Sequence, residues 1–330
     1  MRKRISPLGN WRWSAVSANT ATRDAYGKTL VQLGRENPDI VVLDADLSQS
    51  TKTIMFAREF PDRFFNMGIA EQNLMGTAAG LAASGKIPFA STFAMFATGR
   101  AFEPIRNSIA YPRLNVKIAA THAGLTVGED GASHQCLEDV AIMRAIPNMT
   151  VICPADGIET EAVVRAAAAY EGPVYIRLGR AKVPNIYNKD EYSFQWGKGI
   201  TLKDGGDVTI IATGIMAAAA LEAAEDLGRS GISARVIDIH TIKPIDRELI
   251  KKAAQQTGAI VTAEEHSIIG GLGSAVAEVL CEEAPVPVIR VGAKDTFGES
   301  GTAEELLIKY GLTPGCIMQA VERALKAKGR

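Results

Sequence analysis

The sequence predicts an α/β protein made of two parallel-sheet domains, and three observations carry that expectation. Apolar, β-branched runs of strand length alternate with longer stretches of helical period, as parallel strands joined by helical crossovers require. The alternation comes in two series, separated by Pro184–Gly199 (PNIYNKDEYSFQWGKG), a polar, turn-rich segment without a clean period that reads as a linker. A chain of 330 residues, 47% hydrophobic and 22% charged, is too long for one small domain and can bury two ordinary cores. The division falls near residue 195, giving domains 1–194 and 195–330.

In the first series the predicted strands are Ile40–Leu43, Ile87–Ser91, Val116–Ala120, Thr150–Cys153 and Val174–Arg177. Helical stretches lie between them at Ala21–Glu36, Glu71–Ser84 and Gly157–Ala169. Tyr26, Leu30 and Leu33 stand at i, i+4 and i+7 of the first helix, and Asn37-Pro38 stops it. The second series begins with strand Val208–Ala212, helix Met216–Ser230 and strand Ala234–Asp238, which leads to a turn at Lys243-Pro244. Helix Asp246–Gln256, strand Ala259–Thr262, helix Gly273–Cys281, strand Val286–Val291 and a C-terminal helix complete it.

Composition excludes several function classes. A net charge of −1 without a strongly basic segment gives no electrostatic footprint for nucleic acid. The N-terminal MRKRISPLGNW has basic residues but no apolar run behind them, so a secretory signal is not expected. No stretch of about 18 apolar residues is present to span a membrane. Cys136, Cys153, Cys281 and Cys316 are scattered, without a CxxC pair, and read as reduced thiols of a cytoplasmic protein.

The most informative segment is Phe64–Gly85, FFNMGIAEQNLMGTAAGLAASG. Glu71 opens a helix in which Gly76, Ala79, Gly80 and Ala83 recur at i, i+3, i+4 and i+7, leaving one face nearly bare for close approach of another backbone. By position alone Glu71 is an acidic first-turn residue facing the helix dipole. MGIAEQN ahead of a small-residue helix, however, resembles the signature of thiamine-diphosphate enzymes of the transketolase type. By that resemblance Glu71 bonds the aminopyrimidine ring of the cofactor, favouring the imino tautomer whose base deprotonates the thiazolium carbon to the nucleophilic carbanion. Such a glutamate must keep its proton near neutral pH, which an apolar, aromatic neighbourhood promotes.

Phe93 and Phe96, in Ser91-Thr92-Phe93-Ala94-Met95-Phe96, read by themselves as ordinary core. In the family the matching aromatics pack on the aminopyrimidine ring. Full-length transketolases usually carry a third aromatic three residues further, where this chain has Gly99; Phe102 is the candidate to close the pocket instead.

Two of the four histidines bracket a glycine-rich run, THAGLTVGEDGASHQ, from Thr121 to Gln135. It follows a predicted strand, and ligands bind beyond strand carboxyl ends in open α/β sheets. The run closely resembles the TH…GEDGxxHQ loop of transketolases, which implies three roles. His122 contacts phosphate or hydroxyl groups of the substrate, Asp130 holds the sugar hydroxyl at C2, and His134 polarises the reacting carbonyl or relays its proton. Ala21-Thr22-Arg23 and the segment Asp44–Ser50 match two further family stretches, assigning substrate phosphate to Arg23 and Ser50, and support of the bent cofactor to Leu47. Arg180 takes the family's other phosphate-binding position, with Arg177 as the competing choice. A planar guanidinium suits phosphate oxygens.

The Gly-Asp-Gly…Asn motif that holds Mg2+ and the diphosphate in this class is missing; Gly128-Glu129-Asp130-Gly131, Asp204-Gly205 and Asp156-Gly157 do not supply it. The resemblance therefore covers the pyrimidine-binding and C-terminal domains alone. It implies thiamine diphosphate with Mg2+ as cofactor, no metal site of the chain's own, and an N-terminal partner subunit, with α2β2 as the expected assembly.

Three other readings stay open. 1-Deoxyxylulose-5-phosphate synthase shares GIAEQ and an Ala-Gly-Leu loop but tends to carry Asp-Arg where this chain has His122. The β subunit of a 2-oxo acid dehydrogenase lacks a set such as Arg23, Ser50, His122 and Arg180. The third is a non-catalytic assembly subunit that keeps the fold. In the second series, Gly270-Gly271-Leu272-Gly273 reads as a close-packed turn ahead of an anion site, and His240 as structural.

Overall fold

The computed structural model describes residues 19–329, so the N-terminal segment and the targeting expectation attached to it lie outside the described residues. Fourteen strands are described. They are β1 (Asn19–Ala21), β2 (Ile40–Asp44), β3 (Phe64–Asn66), β4 (Ile87–Phe93), β5 (Lys117–Thr121), β6 (Thr150–Ile152), β7 (Val174–Arg177), β8 (Lys182–Pro184), β9 (Ile200–Lys203), β10 (Val208–Ala212), β11 (Ala234–Asp238), β12 (Thr241–Lys243), β13 (Ile260–Ser267) and β14 (Val288–Ala293).

Seven strands form one sheet in the order β12-β6-β7-β5-β4-β2-β3, and five form a second in the order β14-β13-β10-β11-β9. Within the first sheet every pairing is parallel except that of β12 with β6; within the second, only β9 runs antiparallel, against β11. The central strands β2, β5, β7 and β10 are buried at every residue, because helices cover both faces. Tyr26, Leu30 and Leu33 of helix Thr22–Glu36 join Val163 and Val164 of helix Gly157–Ala169 on one face of the first sheet. Leu74, Met75 and Ala78 of helix Glu71–Ala83 pack on the other.

Most predicted elements lie within a residue or two of the observed ones, and four differences matter. β12, ahead of Pro244, is a strand that the sequence reading does not contain, and it completes the first sheet although it follows the second domain's opening strands. β13 runs on through Glu264, Glu265 and His266, burying all three. The C-terminal helix is two helices, Ala303–Lys309 and Pro314–Ala327. Residues 185–199, though without regular structure, are docked rather than free. Tyr187 Oη donates to Asp238 Oδ2 at 2.7 Å, Tyr192 Oη donates to Glu159 Oε1 at 2.6 Å, and Trp196 packs on Tyr170 with ring centres 4.6 Å apart. Polarity marked the segment as a linker, but its aromatic rings carry enough apolar area to hold it against both sheets' helices.

Candidate active site

The order β7-β5-β4-β2-β3 sets five parallel strands side by side, so the segments leaving their carboxyl ends form one row. Arg180 follows β7, His122 follows β5, Phe93 ends β4, Leu47 and Ser50 follow β2, and Glu71 follows β3. Residues up to 157 positions apart in sequence meet here: Gly179 N donates to Thr22 Oγ1 at 2.7 Å, tying the segment after β7 to the start of the first helix.

Glu71 is the first residue of its helix, and its side chain is 1% exposed. Both carboxylate oxygens accept from Arg100 Nη1 at 2.9 Å, and Arg100 itself is half exposed. The sequence reading puts an apolar, aromatic surrounding on Glu71; the direct contact on its oxygens is instead a cation. Arg100 reaches back because the chain after β4 winds through two π-helical turns, Phe96–Arg100 and Ile105–Ala110, whose wider pitch re-aims side chains relative to an α-helix. The guanidinium carbon of Arg100 also lies 4.9 Å from the centre of the Phe96 ring.

Phe93 and Phe96 stack with ring centres 5.9 Å apart and planes within 14°. His122 lies on Phe93 at 4.0 Å, and His134 meets both phenylalanines edge-on, at 6.0 and 5.3 Å. The two phenylalanines and two histidines thus make one aromatic wall, at offset and T-shaped geometries that ring quadrupoles favour. Phe102 does not belong to it; half buried, it packs against the hydrophobic core. Beside Gly99 the space where a Cβ would sit is met by the Met95 Cε at 2.6 Å, so a thioether methyl lies where a third aromatic is absent.

His122 sits at φ +58°, an uncommon backbone conformation for a non-glycine residue, at the sharp exit from β5. Its Nδ1 lies 2.9 Å from Thr121 Oγ1 and its Nε2 3.1 Å from Arg23 Nη1. Because an arginine can only donate, Nε2 accepts and the ring proton resides on Nδ1. Burial, and then the charges of Arg23, Arg180, His134 and Lys52, depress the His122 pKa to about 3, so the ring is neutral. His134 Nδ1 lies 2.9 Å from Ser133 Oγ at the loop's outer end.

Arg23 Nη1 also donates to the Ser50 carbonyl at 3.0 Å, while its Nε is buried without a partner. Burial lowers the Arg23 pKa, Asp24 works against that, and the nearby Arg180 adds to it. Ser50 lies in a short helical turn, Ser48–Thr51, that Asp44 organises: Asp44 Oδ1 accepts from Leu47 N at 2.6 Å, and its Oδ2 accepts from the Thr51 and Thr53 hydroxyls. Leu47 is half buried at the head of that turn. Arg180 Nη1 donates to the Val127 carbonyl at 2.5 Å and reaches Glu129 at 3.2 Å and Asp130 at 3.8 Å. Arg177 is placed elsewhere, buried and ion-paired with Asp139 at 2.8 Å. Of the two, Arg180 therefore lies on the side of His122 and Arg23.

A buried carboxylate and a stacked aromatic pair, both touching Arg100, match the ring nitrogen and ring face of an aminopyrimidine, and the unpartnered Arg23 Nε leaves a donor for an anion. The residues present thus fit the pyrimidine end of thiamine diphosphate. Among the described residues no group of three or more His, Cys, Asp or Glu side chains is placed to hold a metal ion.

Residues 18–185 match the model of the transketolase pyrimidine-binding domain, and residues 197–317 match that of the transketolase C-terminal domain. The chain belongs to the transketolase family. It is 57% identical over 306 residues to a Methanocaldococcus jannaschii protein described as a "Putative transketolase C-terminal section", with 92% of this chain and 96% of that protein covered. It is 46% identical to the 6-deoxy-6-sulfo-D-fructose transketolase subunit SqwH of a Clostridium species, over 93% of this chain and 95% of the relative. A solved structure of a split-gene transketolase, described as an inactive β4 tetramer, superposes with a TM-score of 0.88 at 65% identity, covering 93% of this chain and 99% of that one. Transketolases depend on thiamine diphosphate, so the family fixes the cofactor class.

Within this transketolase fold, sequence reasoning missed Arg100, Thr121 and Asp44. Arg100 carries no local signal, since it acts across 29 residues through π-turns that no periodicity announces. In the C-terminal domain, Glu264 accepts from Leu272 N at 2.6 Å and Gly273 N at 2.8 Å, so an internal carboxylate occupies the helix start after Gly271. That helix start is closed to an external anion, and His240 is buried with its Nδ1 2.8 Å from Thr241 Oγ1.

Proposed function

We propose that this chain is the C-terminal subunit of a split transketolase, moving a two-carbon ketol unit from a ketose phosphate to an aldose phosphate. The observation that carries the reading is the single wall formed by Phe93, Phe96, His122 and His134, flanked by buried Glu71 on one side and by Arg23 and Arg180 on the other. When bound, thiamine diphosphate supplies the nucleophilic carbon that takes up and hands on the two-carbon unit. Glu71 would hold the ring nitrogen of the aminopyrimidine at the oxygens that here accept from Arg100. Phe93 and Phe96 would pack on the ring, and Leu47 would lie against the cofactor. His134, beside the reacting carbonyl, polarises it or relays its proton. Neutral His122, with Nε2 as an acceptor, suits a sugar hydroxyl; the charge of the phosphate falls to Arg23 and Arg180, with Ser50 beside them. Asp130 holds the hydroxyl at C2.

The Mg2+ and diphosphate are held by an N-terminal partner subunit in an α2β2 assembly, and the domains of this chain divide near residue 195. The bare face of the Glu71 helix supports a partner-facing role: Gln72, Asn73, Gly76 and Gly80 are exposed, Ile69 is 78% exposed, and nothing lies within 4 Å of a Cβ added at Gly76 or Gly80. Ala79, in contrast, packs into the core. The description of the solved relative as an inactive β4 tetramer fits the same picture of half a site per chain. A cytoplasmic location belongs to this proposal; no helix of the described residues is long and apolar enough to cross a membrane.

The test is reconstitution. The pure chain should transfer no ketol from xylulose 5-phosphate, and addition of the N-terminal partner should restore transfer; full turnover by the chain alone overturns the proposal. Because a relative is described as acting on a sulfo-sugar, the donor screen should include 6-deoxy-6-sulfofructose, whose anionic head presents similar oxygens to Arg23 and Arg180. Activity only with pyruvate and an oxidant would favour a 2-oxo acid dehydrogenase β subunit. Unchanged activity of Glu71→Ala in the complex would favour an assembly subunit.

A further inference from the structure

The loop from His122 to His134 is not held by its own domain alone. Thr126 N, midway along it, donates to Glu265 Oε1 of β13 at 2.6 Å, and Glu265 is 4% exposed. Gly124, at φ +83°, lets the carboxylate in: a Cβ there would lie 2.3 Å from the carboxyl carbon of Glu265. Gln135 closes the loop's far end, its Nε2 donating to the Leu125 and Gly128 carbonyls at 3.3 Å and to the Glu299 carbonyl at 2.9 Å. Gly131, at φ +75°, packs against Ser300, whose Oγ would lie 2.6 Å from an added Cβ. The segment carrying His122, Asp130 and His134 is therefore pressed onto the C-terminal domain at two points, Glu265 and the turn around residues 298–301.

We propose that Glu265 is a positioning residue for the substrate loop, acting through the Thr126 backbone, so that the C-terminal domain sets the geometry of the sugar-binding groups. The proposal rests on the transketolase reading for its kinetic consequence but not for the contact itself. Glu265 also has a structural neighbour, since Arg177 Nη2 donates to its backbone carbonyl at 2.9 Å. Side-chain variants separate the two: Glu265→Gln keeps an oxygen acceptor for Thr126 N without the charge, Glu265→Asp withdraws the carboxylate by one methylene, and Glu265→Ala removes it.

Hydrogen exchange on the isolated full chain reads the loop without partner or substrate. In Glu265→Asp and Glu265→Ala, amides of residues 122–135 should exchange about tenfold faster, the scale of a lost hydrogen bond at a buried acceptor. The amides of β10 and β11 should be unchanged, and Glu265→Gln should recover most of the protection. In the reconstituted complex, KM for the sugar phosphates should rise in the Asp and Ala variants more than kcat falls, again with recovery in Gln. Should Glu265→Ala fail to fold, the Asp and Gln pair decides. Unchanged loop exchange in Glu265→Asp overturns the proposal, as does a Gln variant as impaired as Ala, which would assign the effect to charge near Arg177. A wild-type complex without ketol transfer would instead overturn the functional reading, while exchange still judges the clamp.

Discussion

At the scale of single residues, the chemistry turns on which groups keep or lose a proton and which donors lack partners. His122 combines a fixed tautomer with a depressed pKa of about 3, whose first cause is burial and whose second is the Arg23 charge. Its folded pKa lies below the unfolded value of about 6.5, so its contribution to stability is present above that pH and is lost as pH falls toward 3. Nitrogen-detected NMR should show His122 protonated on Nδ1 alone, with unchanged shifts from pH 8 to 5; a titration in that range would contradict the geometry. Arg100 is the other residue to test. Removing it leaves a buried carboxylate without its cation, which destabilises more than the loss of a surface pair. Arg100→Ala should lower the melting temperature of the isolated chain by a few degrees, and Glu71→Gln in the same chain should return most of it. Additive losses in the double-mutant cycle would show that the two are not coupled.

Elements place these residues, and one element does more than its composition suggests. Residues 185–199 lie over Asp156, Glu159 and Asp238, three carboxyl groups in a buried patch faced by Tyr187, Tyr192 and, nearby, neutral His240. Asp238 Oδ1 is buried with no hydrogen-bond partner, while Oδ2 accepts from Tyr187. Burial first, and then the Asp156 charge, push the Asp238 carboxyl up to about 7, and Glu159 is raised by the same burial and by Asp238 itself. Here the folded state binds more protons than the unfolded chain. The stability contribution is thus greatest at acid pH and declines as pH rises from the ordinary Asp range toward 7. Asp238→Asn keeps the acceptor for Tyr187 and removes the charge. It should raise the melting temperature at pH 8 and gain little at pH 5; an equal effect at both would remove the carboxyl pair as the cause.

On the scale of the whole molecule, the two sheets are not independent units joined by a tether. β12, from beyond residue 195, is an edge strand of the first sheet; Arg177 and Asp139 of the first half face His266 and the Glu265 backbone of the second; and residues 185–199 touch both. Calorimetry of the full chain should therefore show one cooperative transition, whereas two resolved transitions would mean that these contacts are weak. A fragment ending at residue 194 would lack β12 and expose the edge of β6, an unpaired template for association. Such a fragment should aggregate on expression, as scattering or sedimentation would register.

Sequence by itself determined the α/β class and the transketolase signatures, because strand runs, helical period and short motifs are local properties of the chain. MGIAEQN, the aromatic pair and the TH…GEDG loop are each contiguous, so Glu71, Phe93, Phe96, His122 and His134 are legible as candidates in the sequence alone. Only the tertiary structure decided what depends on distance: Arg100 folded back on Glu71, Arg177 withdrawn to Asp139 while Arg180 stays at the site, and Phe102 packed against the core away from the aromatic wall. It also decided that β12 crosses to the first sheet and that Glu265 reaches over Gly124 to the substrate loop. The physical reason is the same in each case. A hydrogen bond or ion pair across tens of residues is set by sheet order and by the space that a glycine leaves open, and neither is written in the period of the residues that make it.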